Sequence, residues 1–149
     1  MDFYNLYEQG FARVAAVTLP VADFDPTTNA ERTLEVARTA HARGIAVAVY
    51  PELGISGYAI DDLLLTDSLL DAVTKAVAGI IRGTTELRPV VVVGAPVPIG
   101  NRLCNCAVVI HRGRALGIVP KSHLPNYREF YEKRHFAAGT GDLPDAVTI

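Results

Sequence analysis

Basic residues are not in excess in this sequence, and no long apolar run interrupts it. Lys and Arg number 14 against 16 Asp and Glu, so the net charge is −2. This balance provides no electrostatic footprint for nucleic acid or an anionic membrane surface. The apolar runs are far shorter than the roughly 20 residues that a membrane-spanning helix needs. The N-terminus lacks a basic segment followed by an apolar one, so we expect no signal peptide and take the cytoplasm as the default compartment.

Cysteine and histidine are also scarce. The two cysteines, Cys104 and Cys106, allow a single pair, so a disulfide framework is not expected. Because they are two positions apart on a predicted strand, they share one face and are interpreted as small core residues. The four histidines show no spacing typical of metal ligands, and no metal site is predicted.

Two glycine-containing segments lack the residues that would make them catalytic or phosphate-binding motifs. Gly54-Ile-Ser-Gly57 is not G-x-S-x-G, which argues against the serine nucleophile of an α/β-hydrolase. Gly94-Ala-Pro is not followed by Gly-Lys-Ser or Gly-Lys-Thr, which argues against a phosphate-binding loop. Any chemistry must therefore come from other residues.

The apolar residues that are present follow an alternation of strands and helices. Half of the residues are hydrophobic and a fifth are charged, as expected for one globular domain with a core. The patterning predicts an α/β fold with a mixed sheet. The predicted strands cover 13–18, 45–50, 89–94, 101–110 and 114–119, and the predicted helices cover 31–43, after capping residues in 25–29, and 66–82, capped by Thr66.

The pattern also predicts the beginning of a strand over 146–149. Because the sequence stops inside this strand, without a helix cap, a charged tail or a turn, we expect residues 1–149 to be the front part of a longer protein. A domain that ends in a short edge strand is the alternative.

Two side chains of opposite charge directly follow predicted strands. Glu52 follows the strand 45–50, and Lys121 follows the strand 114–119 after Pro120. Ligand sites of open α/β sheets lie outside the carboxyl ends of strands. A carboxylate there can act as a general base, and an ammonium can stabilise the negative charge of a tetrahedral intermediate. An ordinary loop carboxylate and a solvent-facing lysine are the alternatives.

The loop 121–141 is rich in aromatic and charged residues. It contains Tyr127, Phe130 and Tyr131 within five positions, with glutamates at 129 and 132. A loop with three aromatic side chains must bury some of them or stack them on a ligand. A packed surface loop or a subunit interface is the alternative.

Together these segments resemble the nitrilase superfamily of carbon–nitrogen hydrolases. The resemblance rests on Pro51-Glu-Leu-Gly-Ile-Ser-Gly-Tyr58, on Lys121-Ser-His-Leu124, and on Leu103-Cys-Asn-Cys-Ala-Val-Val-Ile110. It implies an α-β-β-α sandwich, of which this chain supplies the first part. It also implies that Glu52 deprotonates a catalytic cysteine, that Lys121 stabilises the tetrahedral intermediate, and that Glu129, eight residues after the lysine, positions groups at the acyl site.

Within this superfamily, two segments resemble the glutaminase domains of glutamine-dependent NAD synthetases. They are the run 124–136 and Asp61-Asp-Leu-Leu-Leu65. This resemblance implies glutamine as the substrate, with Tyr58, Tyr127 and Phe130 shaping its pocket. The ammonia would serve a separate ATP- and Mg-dependent domain that amidates deamido-NAD, and no cofactor is expected in residues 1–149.

The family nucleophile is missing from this sequence. It is a cysteine some tens of residues beyond the lysine, whereas Cys104 and Cys106 precede Lys121. We therefore expect that the 149 residues alone do not hydrolyse glutamine. Half a sandwich would also leave apolar sheet surface uncovered, which favours association or disorder. Among possible partners we expect a second copy of the chain, in a homo-oligomer. The alternatives are another small-amide amidase, and a non-catalytic α/β fragment or oligomerisation module in which Glu52 and Lys121 point apart.

Overall fold

The computed structural model describes residues 3–141, 143–144 and 146–147. These residues form five strands, two α-helices and two short 3₁₀-helices, so the predicted α/β class is confirmed. In chain order the elements are β1 (Val14–Ala16), α1 (Pro26–Ala42), β2 (Val47–Val49), a 3₁₀-helix (Asp61–Leu65), α2 (Asp67–Gly83), β3 (Val90–Ile99), β4 (Arg102–His111), β5 (Arg114–Pro120) and a second 3₁₀-helix (Glu132–Arg134).

The five strands form one mixed sheet in the order β1-β2-β3-β4-β5. The first three strands are parallel, and β3, β4 and β5 are joined as antiparallel neighbours. The parallel strands need helical crossovers, which α1 and α2 supply, whereas the antiparallel strands need only tight turns. The predicted mixed sheet is therefore confirmed. Its parallel and antiparallel parts meet at β3.

Strand β3 is longer than predicted. It continues past Gly94 through Pro96 and Pro98 to Ile99, and its whole length from Val91 pairs with β4. The predicted strand ends at Gly94, before both prolines, and proline, which lacks an N–H, is not expected in a central strand. Because β2 pairs only with residues 90–92, the prolines lie on an edge of the sheet where no N–H is needed.

Both helices begin near the predicted caps, but not in the same way. At the start of α1 the Asp25 carboxylate accepts the Thr28 N–H at 3.1 Å, so the helix begins at Pro26, one turn before the predicted apolar stripe. Thr66 precedes α2 as predicted, but its hydroxyl donates to the Leu63 carbonyl at 2.7 Å and does not cap the helix. Neither helix in the described residues is long and apolar enough to cross a membrane.

The two faces of the sheet differ in their cover. The helices pack on the face that carries buried side chains such as Val91, Val93 and Val108. The opposite face, which we call the open face, carries Val14, Val49 and Val119, whose exposures are 66%, 46% and 60%. The expected uncovered apolar surface is therefore present. Of the strand predicted over 146–149, positions 148 and 149 lie outside the described residues, and positions 146 and 147 are not in a strand.

Candidate active site

The Glu52 loop begins where β2 ends. Tyr50 continues the strand by donating its N–H to the Val92 carbonyl at 2.9 Å, and its buried hydroxyl donates to the Thr33 carbonyl on α1 at 3.0 Å. Glu52 follows two residues later, outside the carboxyl end of a parallel strand. This is the place where the sequence predicts a ligand site.

The backbone of this loop has little freedom. A methyl group added to Gly94 on β3 would lie 2.5 Å from Leu53 N and from the Pro51 carbonyl oxygen. Only glycine at position 94 lets the loop cross the sheet so closely. On the other side, the buried Asn29 donates to the Ile55 carbonyl at 3.0 Å. Glu52 therefore rests on a loop that is held in place by two elements.

Lys121 follows the last residue of β5. Its N–H donates to the Asn105 carbonyl at 2.8 Å, and its carbonyl accepts the Gly139 N–H at 2.8 Å. The ammonium reaches Glu52 Oε1 at 2.6 Å, although the two residues are 69 positions apart. The non-catalytic alternative requires that Glu52 and Lys121 point apart, and this contact contradicts it.

A second carboxylate meets the lysine, and it belongs to Glu132. Glu132 begins the second 3₁₀-helix and is only 5% exposed. Its Oε1 accepts from Lys121 Nζ at 2.9 Å and from the Tyr58 hydroxyl at 2.8 Å. Its Oε2 is buried without a hydrogen-bond partner in the part of the chain that the structure describes.

The resemblance placed the second glutamate at Glu129, and the structure brings Glu132 to the lysine instead. Glu129 is exposed and borders a small cavity beside the cluster. The backbone around Glu132 is fixed by two hydrogen bonds. The Glu132 N–H donates to the Pro125 carbonyl at 3.1 Å, and the Phe136 N–H donates to the Glu132 carbonyl at 2.8 Å. This turn determines which of the two carboxylates points inward. Sequence spacing alone does not reveal this turn.

Asn105 completes the group, and sequence reasoning did not single it out as a functional residue. Its Nδ2 donates to Glu52 Oε1 at 2.6 Å. The available signal is a buried polar residue between two apolar neighbours in β4. We call Glu52, Tyr58, Asn105, Lys121 and Glu132 the lysine cluster.

The electrostatics of the lysine cluster favour a protonated lysine. Burial by itself lowers the pKa of Lys121, but its hydrogen bonds to Glu52 and Glu132 outweigh burial, so the net pKa lies above its ordinary value. Burial, followed by the hydrogen bond to Glu132, raises the pKa of Tyr58 well above its ordinary value. Both groups therefore carry their protons at neutral pH, so Lys121 is a positively charged hydrogen-bond donor.

Two cavities flank the lysine cluster. One is a cleft of about 360 Å³ on the open face, bordered by Glu52, Asn105 and Lys121. The other, of about 150 Å³, is bordered by Tyr58, Phe130 and Glu132. The cleft is within the size range of small-molecule pockets. Of the aromatic residues predicted to shape a pocket, Tyr58 and Phe130 lie at a cavity, whereas Tyr127 is 67% exposed and stacks with Arg128.

The two cysteines lie apart from this chemistry. Both are buried, and they point into the core, on the opposite side of β4 from Asn105. Burial raises the pKa of Cys106 to about 12 and also raises that of Cys104. Buried neutral thiols are not nucleophiles, so the prediction that neither cysteine is catalytic agrees with their placement.

A second group of charges, which we call the Asp62 cluster, consists of Asp62, Arg134 and His135. Arg134 donates to both Asp62 oxygens at 2.7 Å, and His135 Nε2 lies 3.1 Å from Oδ1. The hydrogen bonds from Arg134, and next those from His135, hold the pKa of Asp62 well below its usual range. The neighbouring Tyr131 hydroxyl donates to Asp61. These contacts join the two 3₁₀-helices.

The chain is similar in sequence to known proteins of one family. The carbon–nitrogen hydrolase family matches residues 13–148. Curated relatives named glutamine-dependent NAD(+) synthetase include that of Mycobacterium leprae, 55% identical over 139 residues, which are 93% of this chain and 20% of the relative. The protein of that name from Mycobacterium tuberculosis strain H37Rv is 54% identical over 142 residues, which are 95% of this chain and 21% of the relative.

The fold also resembles that of a solved relative. A solved glutamine-dependent NAD(+) synthetase from Cytophaga hutchinsonii superposes with a TM-score of 0.81 at 26% identity, covering 88% of this chain and 22% of that one. The chain thus spans about a fifth of the length of the relatives that it matches. The predicted fold class, part of a nitrilase-type domain, is confirmed.

Proposed function

The chain belongs to the carbon–nitrogen hydrolase family, and on that premise we propose that it carries the base and the lysine of a glutamine-hydrolysing site. The observation that carries the proposal is the contact of Lys121 Nζ with Glu52 at 2.6 Å and with Glu132 at 2.9 Å. An ammonium between two carboxylates beside a cleft is suited to amide cleavage, which needs both a base and an electrostatic stabiliser. The names of the relatives supply the substrate, glutamine.

Amide cleavage then proceeds in two covalent steps. A cysteine thiol from outside residues 1–149 gives its proton to Glu52, and its sulfur attacks the amide carbon of glutamine. The carbon–nitrogen bond breaks, and Glu52 returns the proton to the leaving ammonia. Water, deprotonated by Glu52, then attacks the glutamyl thioester, and this releases glutamate and the thiol.

The lysine acts on the oxygen that becomes negative. An ammonium has three N–H donors, of which Glu52 and Glu132 accept two. The third is left for the substrate carbonyl oxygen. Glu132 therefore orients the ammonium, supported by the hydrogen bond from Tyr58. Tyr58, Glu129 and Phe130 line the smaller cavity, and we assign them, with the exposed Tyr127, to shaping the glutamine pocket.

For the full-length protein we propose the activity that the relatives' names state, NAD(+) synthesis that depends on glutamine. The ammonia would be used by an ATP- and Mg-dependent synthetase domain that amidates deamido-NAD, in the cytoplasm. Residues 1–149 alone then lack the nucleophile and do not hydrolyse glutamine. The open face, with its exposed valines, is to be covered either by more of the same domain or by a second copy in a homo-oligomer.

Isotope transfer tests the proposal. The full-length protein is incubated with ATP, Mg, deamido-NAD and glutamine labelled with ¹⁵N in its amide. We expect glutamate release and ¹⁵N in the carboxamide of the product. Unlabelled product, or the absence of glutamate release, would mean that the cluster does not serve glutamine hydrolysis.

A further inference from the structure

Asn105 contacts both groups that the proposed reaction needs. It lies within β4 and is 3% exposed. Its side-chain Nδ2 donates to Glu52 Oε1 at 2.6 Å, while its main-chain carbonyl accepts the Lys121 N–H at 2.8 Å. A single residue therefore holds the side chain of the base and the main chain of the lysine.

The two oxygens of Glu52 have different surroundings. Oε1 accepts from Asn105 Nδ2 and from Lys121 Nζ, each at 2.6 Å. Oε2 accepts no hydrogen bond from the described residues, and the Glu52 side chain is 45% exposed at the edge of the cleft. A carboxylate oxygen that already has two donors is a poor proton acceptor, whereas the other oxygen is open.

We propose that Asn105 is a positioning residue that holds Glu52 Oε1, so that Oε2 is the oxygen that receives the nucleophile's proton. This inference rests on the proposed function and specifies which oxygen acts. Lys121 alone does not fix the carboxylate, because an ammonium is a compact charge around which the carboxylate can rotate. The planar amide of Asn105 adds a second, directional contact to Glu52 Oε1.

Variants at position 105 separate this role from a structural one. The main-chain contact to Lys121 remains in every variant, so only the bond to Glu52 is removed. With Asn105→Ser we expect glutamine-dependent kcat to fall by about tenfold, with KM for glutamine within about twofold, because misalignment affects the chemical step more than binding. Ammonia-dependent synthesis should be unchanged.

Asn105→Asp should also change the pH dependence of kcat/KM for glutamine. The new carboxylate takes the place of the amide that contacts Glu52 Oε1, and the nearby charges are Lys121, which also contacts Glu52, and Glu132, which contacts Lys121. Two neighbouring carboxylates disfavour each other's ionisation. The acidic limb of kcat/KM for glutamine should therefore move upward by about one pH unit or more. Asn101→Asp, at an exposed position in the β3–β4 turn, adds the same charge away from the cluster and is the matched control.

The experiment is the pH profile of kcat/KM for glutamine in the full-length protein, with ammonia-dependent synthesis measured in parallel. An upward shift in Asn105→Asp but not in Asn101→Asp, with the ammonia-dependent rate retained, supports the proposal. If the acidic limb in Asn105→Asp does not shift, or if activity with glutamine and with ammonia falls equally, the proposal is overturned and Asn105 is a structural residue. If Asn105→Asp does not fold, an unchanged kcat in Asn105→Ser overturns it. A wild-type protein that does not use glutamine would remove the proposed function and this inference with it.

Discussion

Two clusters of charged side chains connect loop 121–141 to the rest of the chain, and they differ in how much water reaches them. In the lysine cluster, the side chains of Lys121 and Glu132 are 28% and 5% exposed, while that of Glu52, at the cleft, is 45% exposed. In the Asp62 cluster, the side chains of Arg134 and Asp62 are 60% and 58% exposed, and that of His135 is 5% exposed. The hydrogen-bond distances are similar, between 2.6 and 3.1 Å.

Exposure, and not distance, separates their expected roles. An exposed ion pair gains little because water and salt screen it, so the Asp62 cluster is suited to holding a loop. A shielded pair keeps more of its electrostatic strength, and a partner removed from it leaves an uncompensated charge. The lysine cluster is therefore the one suited to stabilising charge during a reaction.

The largest expected effect comes from removing the central cation. Lys121→Ala should lower glutamine-dependent activity by about a hundredfold or more, since an oxyanion donor has about that effect on kcat. Ammonia-dependent synthesis should persist, because the lysine serves amide cleavage only. The matched control is Lys133→Ala, an exposed lysine in the second 3₁₀-helix, which should retain both activities. Equal loss with both nitrogen sources in Lys121→Ala would mean that the lysine is structural.

A comparable loss is expected from moving the base without changing it. In Gly94→Ala the methyl group displaces the Glu52 loop, and a shift of about 1 Å can lower the rate about a hundredfold. Thermal unfolding should also show a loss of about 1–3 kcal/mol from overpacking. Gly79→Ala, in α2 with open space at the added carbon, is the control and should keep the activity and gain up to about 1 kcal/mol. An active Gly94→Ala would show that the loop tolerates displacement.

A smaller effect should distinguish the two glutamates of the loop. Glu132→Gln keeps an acceptor for Lys121 and Tyr58 but removes a charge, which should lower glutamine-dependent kcat by about tenfold, as expected for one charge-assisted hydrogen bond. Glu129→Gln, at the exposed position, should change kcat by less than about twofold, with any effect in KM. Steady-state kinetics of the two variants decides the matter. A larger loss of kcat in Glu129→Gln than in Glu132→Gln would indicate that Glu129 is the glutamate that acts with the lysine.

The smallest effect is expected at the Asp62 cluster. Asp62→Asn removes a screened ion pair, so KM for glutamine should rise only a few-fold, and hydrogen exchange in 128–136 should become faster. The native state lowers the pKa of Asp62, so this anchor is complete above the ordinary value of 3.8 and is lost as the pH falls through the native pKa. In wild type, exchange protection of the loop, corrected for intrinsic rates, should thus be equal at pH 7 and 5 and fall only in stronger acid. Loss of protection between pH 7 and 5 would assign the anchor to another group.

The two strand-end charges were predictable because a rule about sheets places them. Glu52 and Lys121 each follow a strand. Because β2 and β5 run in the same direction, their carboxyl ends lie at the same edge of the sheet. The parallel order of β1 to β3 and the hairpin of β4 and β5 follow from apolar runs and from the turn at 111–113, where Arg112 and Gly113 have positive φ.

The contributions of Glu132 and Asn105 were not predictable in the same way. Glu129 and Glu132 share one loop, and a single 3₁₀ turn decides which carboxylate is buried. Asn105 alternates with two cysteines on β4, and only the crossing of the Glu52 loop over Gly94 brings a partner to its amide. The continuation of β3 through its prolines was not predictable for a related reason. Among the described residues no strand pairs with that side of β3, and this is a property of the assembled sheet.

The most direct test of the proposed lysine cluster is the ratio of glutamine-dependent to ammonia-dependent synthesis in Glu52→Gln of the full-length protein. Glu52→Gln keeps the shape and the contact to Lys121 but removes the base, and Glu86→Gln, at an exposed position after α2, controls for the change of charge. We expect the ratio to fall by about a hundredfold or more in Glu52→Gln, within the range for general acid–base catalysis, and to stay constant in Glu86→Gln. An unchanged ratio in Glu52→Gln would contradict the account.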